Sequence, residues 1–159
     1  RPCPAGISFR RMWAVPRLLV APRGHPLGKG KITAGQLAEA GLILPGRKTR
    51  THTEIMEYLS RVIPAERLQS FIEVTSAEAQ IRYVAEGLGV TLIDGAARDL
   101  IPAALAARPV PSSLLAERAA GVYYSTERYA PQAVIKFMES ACGFSPNMKS
   151  ETPPQRGPS

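Results

Sequence analysis

Short apolar runs alternate with helix-period segments along most of the chain. Five runs predict β-strands, and they cover residues 18–21, 42–44, 71–74, 90–93 and 122–124. Several of these runs are apolar at every position, whereas a strand with one solvated face alternates apolar and polar positions. Continuous apolar strands are typical of a parallel sheet that is covered on both faces.

Helices are predicted between these strands by their first residues and their apolar stripes. Three segments begin with Thr and carry Gln or Glu three residues later, which is the capping-box pattern; they start at Thr33, Thr51 and Thr75. A fourth helix is predicted over residues 132–141. The expected apolar stripes are Ile55, Met56, Leu59 and Val62; Ile81, Val84, Ala85 and Leu88; and Ala133, Val134, Phe137 and Met138.

The predicted order is β-α-β-α-β-α-β, followed by a late strand and helix. This order predicts an α/β fold with a mostly parallel sheet, flanking helices and right-handed crossovers. In such sheets ligands bind beyond the carboxyl ends of the strands, where the next helices begin.

The composition fits a folded domain with a polar end. The chain has 159 residues, of which 45% are hydrophobic and 21% charged, and no apolar run is long enough to span a membrane. Residues 144–159 are rich in Pro and polar residues, so we expect a disordered tail there. Cys3 and Cys142 are widely separated and no export signal precedes them, so we expect free thiols and a cytoplasmic location.

The positive charge is concentrated in the first third of the chain. The net charge is +7, and residues 1–50 contain ten Lys and Arg residues against one acidic residue, Glu39. Nucleic-acid surfaces usually interleave basic residues with aromatic ones, whereas this segment has Phe9 and Trp13 and is broken by prolines. Solvated loops are therefore favoured over a nucleic-acid surface, and the charge suits small anionic partners.

Catalytic and metal-binding motifs are missing from the sequence. His25 and His52 have no metal-ligand spacing, and the chain contains no G-x-S-x-G, Walker A or G-x-G-x-x-G motif. Asp94 follows a predicted strand, where we expect it to cap the next helix. We therefore expect the chain to bind no metal and no cofactor, and to have no catalytic activity. The alternative is an α/β enzyme that uses Asp94 and His52.

Binding chemistry is better supported at two predicted helix starts. The residues there with hydroxyl or guanidinium groups are Thr49, Arg50, Thr51, Thr53, Thr75 and Ser76. Free backbone amides and the positive end of the helix dipole would hold a carboxylate or another small anion together with these groups. The alternative is that the hydroxyls only cap their helices and that the basic residues are solvated.

Several segments resemble LysR-type transcriptional regulators, in the family's order and spacing. Residues 19–27 read LVAPRGHPL, similar to the family's v-x-P-x-x-H-P-L stretch, and residues 32–37 and 42–45 resemble the helix and strand that follow. The most specific match is EVT at 73–75 with VAEGLGV at 84–90, which resembles the E-V-x-S and V-A-x-G-L-G-V signature.

This resemblance implies an effector-binding domain of the type 2 periplasmic-binding-protein fold, with a small-molecule effector in a cleft between two lobes. It implies that residues 1–19 belong to a partial first lobe and crossing segment, 20–107 to the second lobe, and 108–143 to a return crossing, strand and helix of the first lobe. Effector contacts would fall at 49–53 and 75–76. The intact regulator is expected to form homo-oligomers and to bind DNA only through a winged helix-turn-helix absent from this chain. A stand-alone solute-binding module is the alternative.

Overall fold

The computed structural model describes residues 3–64, 72–128 and 130–143, which form two compact units. The larger unit is Val15–Arg118, and the smaller one contains the described residues before and after it. The elements, in chain order, are β1 (Ile7–Val15), β2 (Arg17–Pro22), α1 (Ala34–Glu39), β3 (Leu42–Pro45), α2 (Arg50–Ser60), β4 (Ile72–Val74), α3 (Ala77–Ala85), β5 (Val90–Asp94), β6 (Leu105–Pro109), β7 (Arg118–Ser125) and α4 (Gln132–Cys142). The expected disordered tail, 144–159, lies outside the described residues.

The larger unit contains a mixed five-stranded sheet with strand order β4-β3-β5-β2-β6. Strand β3 is parallel to β4 and β5, whereas β2 is antiparallel to β5 and β6. The fold is therefore α/β, but the prediction of a mostly parallel sheet was wrong. Strand β2 lies between β5 and β6 and is buried on both faces, and this burial gives the same continuous apolar pattern whichever way a strand runs.

Helices cover both faces of this sheet. In β2, Leu19 and Ala21 face the core that also contains side chains of α1 and α2, while Leu18 and Val20 face the core that contains Ile81 of α3. Successive side chains of a strand point to opposite faces, so each position from 18 to 21 meets an apolar core. The resulting layers are α1 and α2, the sheet, and α3.

Two of the three predicted helix starts differ from the observed ones. Thr33 caps α1 and forms the predicted capping box with Gln36. Helix α2 is capped by Thr49 instead of Thr51, and α3 by Ser76 instead of Thr75. Each of these two segments carries a second hydroxyl residue nearby, and the one in extended conformation just before the first helical turn becomes the cap.

The predicted apolar stripes are partly wrong in phase. The buried residues of α3 are Gln80, Ile81 and Val84, while Leu88 is 49% exposed. Helix α2 buries Ile55 and Leu59, but Val62 lies beyond its end and is exposed. In α4 only Met138 is buried.

The smaller unit pairs β1 with β7 and contains α4. The rings of Phe9 and Tyr123 lie 4.7 Å apart across the two strands. Strand β1 was not predicted, because its alternation of basic and apolar residues is irregular. Trp13, Tyr123 and Phe137 are all more than half exposed. Among the described residues, no helix is long and apolar enough to cross a membrane.

Strands β3 and β5 begin where two glycines approach each other closely. The amide of Val90 donates to the carbonyl oxygen of Gly41 at 2.9 Å, and Gly89 has φ +150°. A Cβ on Gly89 would collide with that carbonyl oxygen. The parallel pairing of β3 and β5 therefore depends on glycine at position 89.

We predict that Gly89→Ala lowers the free energy of unfolding by about 1–3 kcal/mol, because the added methyl group forces the two strand starts apart. Urea unfolding followed by circular dichroism measures this change. Gly35→Ala is the matched control, since Gly35 lies in α1 with open space around it and should gain up to about 1 kcal/mol. Equal stabilities of the two variants would contradict this account of the contact.

Candidate functional site

A pocket of about 390 Å³, the strand-end pocket, lies in the larger unit at the carboxyl ends of β3 and β5. Its polar lining comes from the start of α2, from α3 and from the end of β5. The lining residues are Pro45, Thr49, Thr51, Ala77, Gln80, Leu92, Ile93, Asp94, Ala96, Ala97 and Leu100. Pockets of this volume suit small molecules.

Two helix N-termini meet at this pocket. Thr49 accepts from the amide of His52 at 3.2 Å, and Ser76 accepts from the amide of Ala79 at 3.1 Å. The amides of the first two residues of each helix have no acceptor within the helix, by the geometry of the α-helix. Thr51 and Ala77, from these first turns, line the pocket. Amides and helix dipoles of this kind favour acceptor atoms and negative charge.

Arg17 is the buried charge of the site, with 2% of its side chain exposed. One of its terminal nitrogens, Nη2, pairs with Glu54 of α2, and the other, Nη1, lies 2.5 Å from Oδ1 of Asp94. Nη1 also donates to Oγ1 of Thr51 at 3.1 Å. One guanidinium therefore connects the first turns of α2 to the end of β5, and both of these segments line the pocket.

Arg118, the last residue of the larger unit, contacts the same groups. Its Nη2 donates to Oγ1 of Thr51 at 2.7 Å, and its Nε lies 3.3 Å from Oδ1 of Asp94. The Thr51 oxygen thus accepts from two guanidinium groups, which leaves the hydroxyl proton free for an acceptor in the pocket. With Arg50, which pairs with Glu54, three guanidinium groups face two carboxylates, so the cluster has a net positive charge.

The structure brings some of the predicted site residues together at the pocket. Thr49 and Thr51 line it, and Ser76 caps the helix whose first residue, Ala77, lines it. Ser76 itself and three other predicted residues lie outside the lining: Arg50 is 77% exposed and pairs with Glu54, Thr53 bonds back to the carbonyl oxygen of Thr49, and Thr75 is exposed. A ligand role for these six residues stays a prediction.

Four other residues of this region were missed or misread in the sequence. Arg17 and Arg118 were not predicted as site residues, and Gln80 was not predicted to be buried. Asp94 was expected to cap a helix, but its side chain makes no capping hydrogen bond to the 3-10 helix Gly95–Leu100 and pairs with the arginines instead. A carboxylate that has two nearby cations gains more from those ion pairs than from a cap.

A second pocket, of about 570 Å³, is lined by residues 23–26, 28–29 and 105–107. Its walls are the surface turn around the 3-10 helix Pro26–Gly28 and strand β6, and His25 bonds there to the amide of Leu27. Among the described residues, no cluster of His, Cys, Asp and Glu could hold a metal ion.

A sequence model of the LysR substrate binding domain matches residues 1–142. The chain belongs to the LysR substrate-binding domain family. The match covers the residues of both compact units, including all those that line the strand-end pocket. No curated protein matches the chain by sequence.

Solved structures of LysR-type regulators share the fold of this LysR domain. The regulatory domain of a cysteine-to-serine mutant of OxyR2 from Vibrio vulnificus is 18% identical with a TM-score of 0.63, and the match covers 90% of this chain and 68% of that one. An OxyR mutant from Corynebacterium glutamicum, bound to hydrogen peroxide, is 21% identical with a TM-score of 0.61, over 77% of this chain. The cofactor-binding domain of the Cbl regulator is 18% identical with a TM-score of 0.65, over 87% of this chain and 60% of that one. This LysR domain spans 39% of the C. glutamicum protein.

We predict that Arg17→Met destabilises the domain by about 2–4 kcal/mol, because Glu54 and Asp94 lose a buried partner. The loss of stability is smaller than for a fully buried ion pair, since the side chains of Glu54 and Asp94 are 27% and 33% exposed. Arg17→Lys should recover only part of it, because one ammonium group cannot reach Glu54, Asp94 and Thr51 together. Urea unfolding measures each value.

Arg50→Ala serves as the control for Arg17. It removes an exposed i,i+4 pair with the same Glu54 and should change stability by less than about 0.5 kcal/mol. If Arg17→Met proved as mild as Arg50→Ala, the buried guanidinium would not hold the site together.

Proposed function

We propose that this chain is the effector-sensing part of a LysR-type transcriptional regulator, and that it binds a small organic anion in the strand-end pocket. The observation that carries this proposal is the meeting of two helix N-termini at one pocket beside a cluster with net positive charge. Thr49, Thr51 and the first amides of α2 and α3 would hold the carboxylate.

The negative charge of Asp94 does not oppose an anionic ligand. Although its carboxylate lines the pocket, Arg17 and Arg118 both contact it. The hydroxyl proton of Thr51 and the helix amides then provide the donors. The two arginines therefore support a site whose polar contacts favour anions.

Ligand binding would act on the intact regulator by shifting its conformational equilibrium towards the state that binds the effector better. We propose that this regulator is a cytoplasmic homo-oligomer and that DNA is contacted by a helix-turn-helix outside this chain. The position of the effector in a cleft between two lobes stays a prediction, as do the lobe boundaries 1–19, 20–107 and 108–143.

The family match favours a regulator domain over a stand-alone solute-binding module. The enzyme alternative has little support in the arrangement of its two residues. Asp94 pairs with Arg17 and Arg118, while His52 lies 3.8 Å from Glu73. We propose that the domain senses a metabolite and does not transform it.

We predict that small mono- and dicarboxylates raise the melting temperature of the domain, whereas the corresponding uncharged amides do not. Binding to the folded state alone raises the melting temperature by mass action, and the helix N-termini select the charged form. Differential scanning fluorimetry with pairs such as succinate and succinamide measures the difference. Equal shifts for acids and amides would contradict an anion site.

Two helix caps provide a matched pair of variants for this test. Thr49→Ala and Thr33→Ala each remove an N-cap hydroxyl and should each cost about 1 kcal/mol of stability, but only Thr49 lines the strand-end pocket. The Kd of the stabilising acid should rise at least about fivefold in Thr49→Ala and stay unchanged in Thr33→Ala. The same Kd in both variants would place the ligand elsewhere.

A further inference from the structure

Gln80 is a polar residue on the buried side of α3, with 3% of its surface exposed. Its Nε2 atom donates to Oγ1 of Thr91 at 2.8 Å and to the carbonyl oxygen of Ile43 at 3.3 Å. The Thr91 hydroxyl donates to the same carbonyl at 2.8 Å, so it must accept from Gln80. A backbone carbonyl can only accept, and this fixes which end of the amide is nitrogen. Both amide protons are therefore directed at the sheet.

The amide oxygen of Gln80 makes no hydrogen bond to any of the described residues. In the part of the chain that the structure describes, the hydrogen bonds of the Gln80 side chain are both made by Nε2, and Gln80 lines the strand-end pocket. An amide oxygen in such a buried position is strongly favoured to accept a hydrogen bond. A ligand in this pocket therefore meets an acceptor at Gln80 in addition to the donors at the helix starts.

The pocket thus offers three kinds of surface to one small molecule. The hydrogen-bond donors are the Thr51 hydroxyl and the amides in the first turns of α2 and α3, and the acceptor is the amide oxygen of Gln80. The apolar wall is formed by the carboxyl end of β5 and the segment after it. The apolar residues are Leu92, Ile93, Ala96, Ala97 and Leu100. A plain carboxylate would satisfy the donors and leave the Gln80 oxygen unmatched.

We propose that Gln80 is a specificity-determining residue, and that the effector is an organic acid that also carries a hydrogen-bond donor, as hydroxy acids and amino acids do. This inference rests on the proposed function, because it assumes that the acid group lies at the helix N-termini. A donor on the ligand lets the buried amide oxygen form its hydrogen bond without loss of the contacts to Thr91 and Ile43. Sites built around a buried polar group reject analogues that lack its partner.

The test compares acids that differ by one hydroxyl group, by isothermal titration calorimetry on the full chain. The pairs are succinate and malate, glutarate and 2-hydroxyglutarate, and 3-phenylpropionate and 3-phenyllactate. The unmodified chain should bind the hydroxy acid of at least one pair about tenfold more tightly than its partner. Binding of the acids without such a preference would overturn the role of Gln80 and leave the anion site intact.

Variants then assign the preference to one atom. Gln80→Met keeps the length of the side chain but removes the acceptor, so the preference for the hydroxy acid should fall below about twofold. Thr91→Val removes one of the two acceptors of Nε2 from outside the pocket lining, and the preference should weaken less than in Gln80→Met, because the carbonyl oxygen of Ile43 still accepts from Nε2. A preference that persists in Gln80→Met would overturn the inference, and so would a larger loss of preference in Thr91→Val than in Gln80→Met.

The experiment distinguishes failure of the proposed anion site from failure of the proposed role of Gln80. If no acid of any pair binds to the unmodified chain, the anion site itself is wrong and the role of Gln80 is wrong with it. If acids bind equally well with and without the hydroxyl group, only the role of Gln80 is wrong. The comparison within each pair uses the unmodified chain, so it does not depend on the folding of any variant.

Discussion

The buried guanidinium of Arg17 is the interaction on which the candidate site depends. A charge removed from water is tolerated only when it is paired and hydrogen-bonded, and the two terminal nitrogens of Arg17 meet this demand through Glu54, Asp94 and Thr51. Asp94 and Thr51 also line the pocket, one at the end of β5 and one in the first turn of α2. The requirement to pair one cation therefore determines where two walls of the pocket stand.

The apolar runs predict β2, β3, β4, β5 and β7 in their observed order, but they miss β1 and β6 and do not show which way each strand runs. All five apolar runs overlap strands of the structure, because burial on both faces leaves a clear apolar signature. The same burial hides direction, so β2 was expected to be parallel to its neighbours. In a parallel sheet Arg17, at the start of β2, and Asp94, at the end of β5, would lie at opposite edges. The antiparallel register pairs them directly, which is why this ion pair could not be predicted.

The site was predicted to the extent that it depends on local chemistry. Hydroxyl residues before a helical segment indicate a helix start, and this signal located the N-termini of α2 and α3 within one or two residues. Gln80 was missed because a polar residue in an apolar stripe shifts the apparent phase of the helix. Its burial depends on Thr91 and on the carbonyl oxygen of Ile43, which are distant in sequence and come together only in the folded sheet. Membership of the LysR family is consistent with a sensing role for this arrangement.

The position of a bound acid is the most direct test of this account. An NMR titration of the isotope-labelled domain with a stabilising carboxylate would report each backbone amide separately. We predict that the largest chemical-shift changes fall on residues 50–52 and 77–79, in the first turns of α2 and α3. Changes concentrated on the turn 23–29 and on residues 105–107, which line the larger pocket, would contradict the central claim.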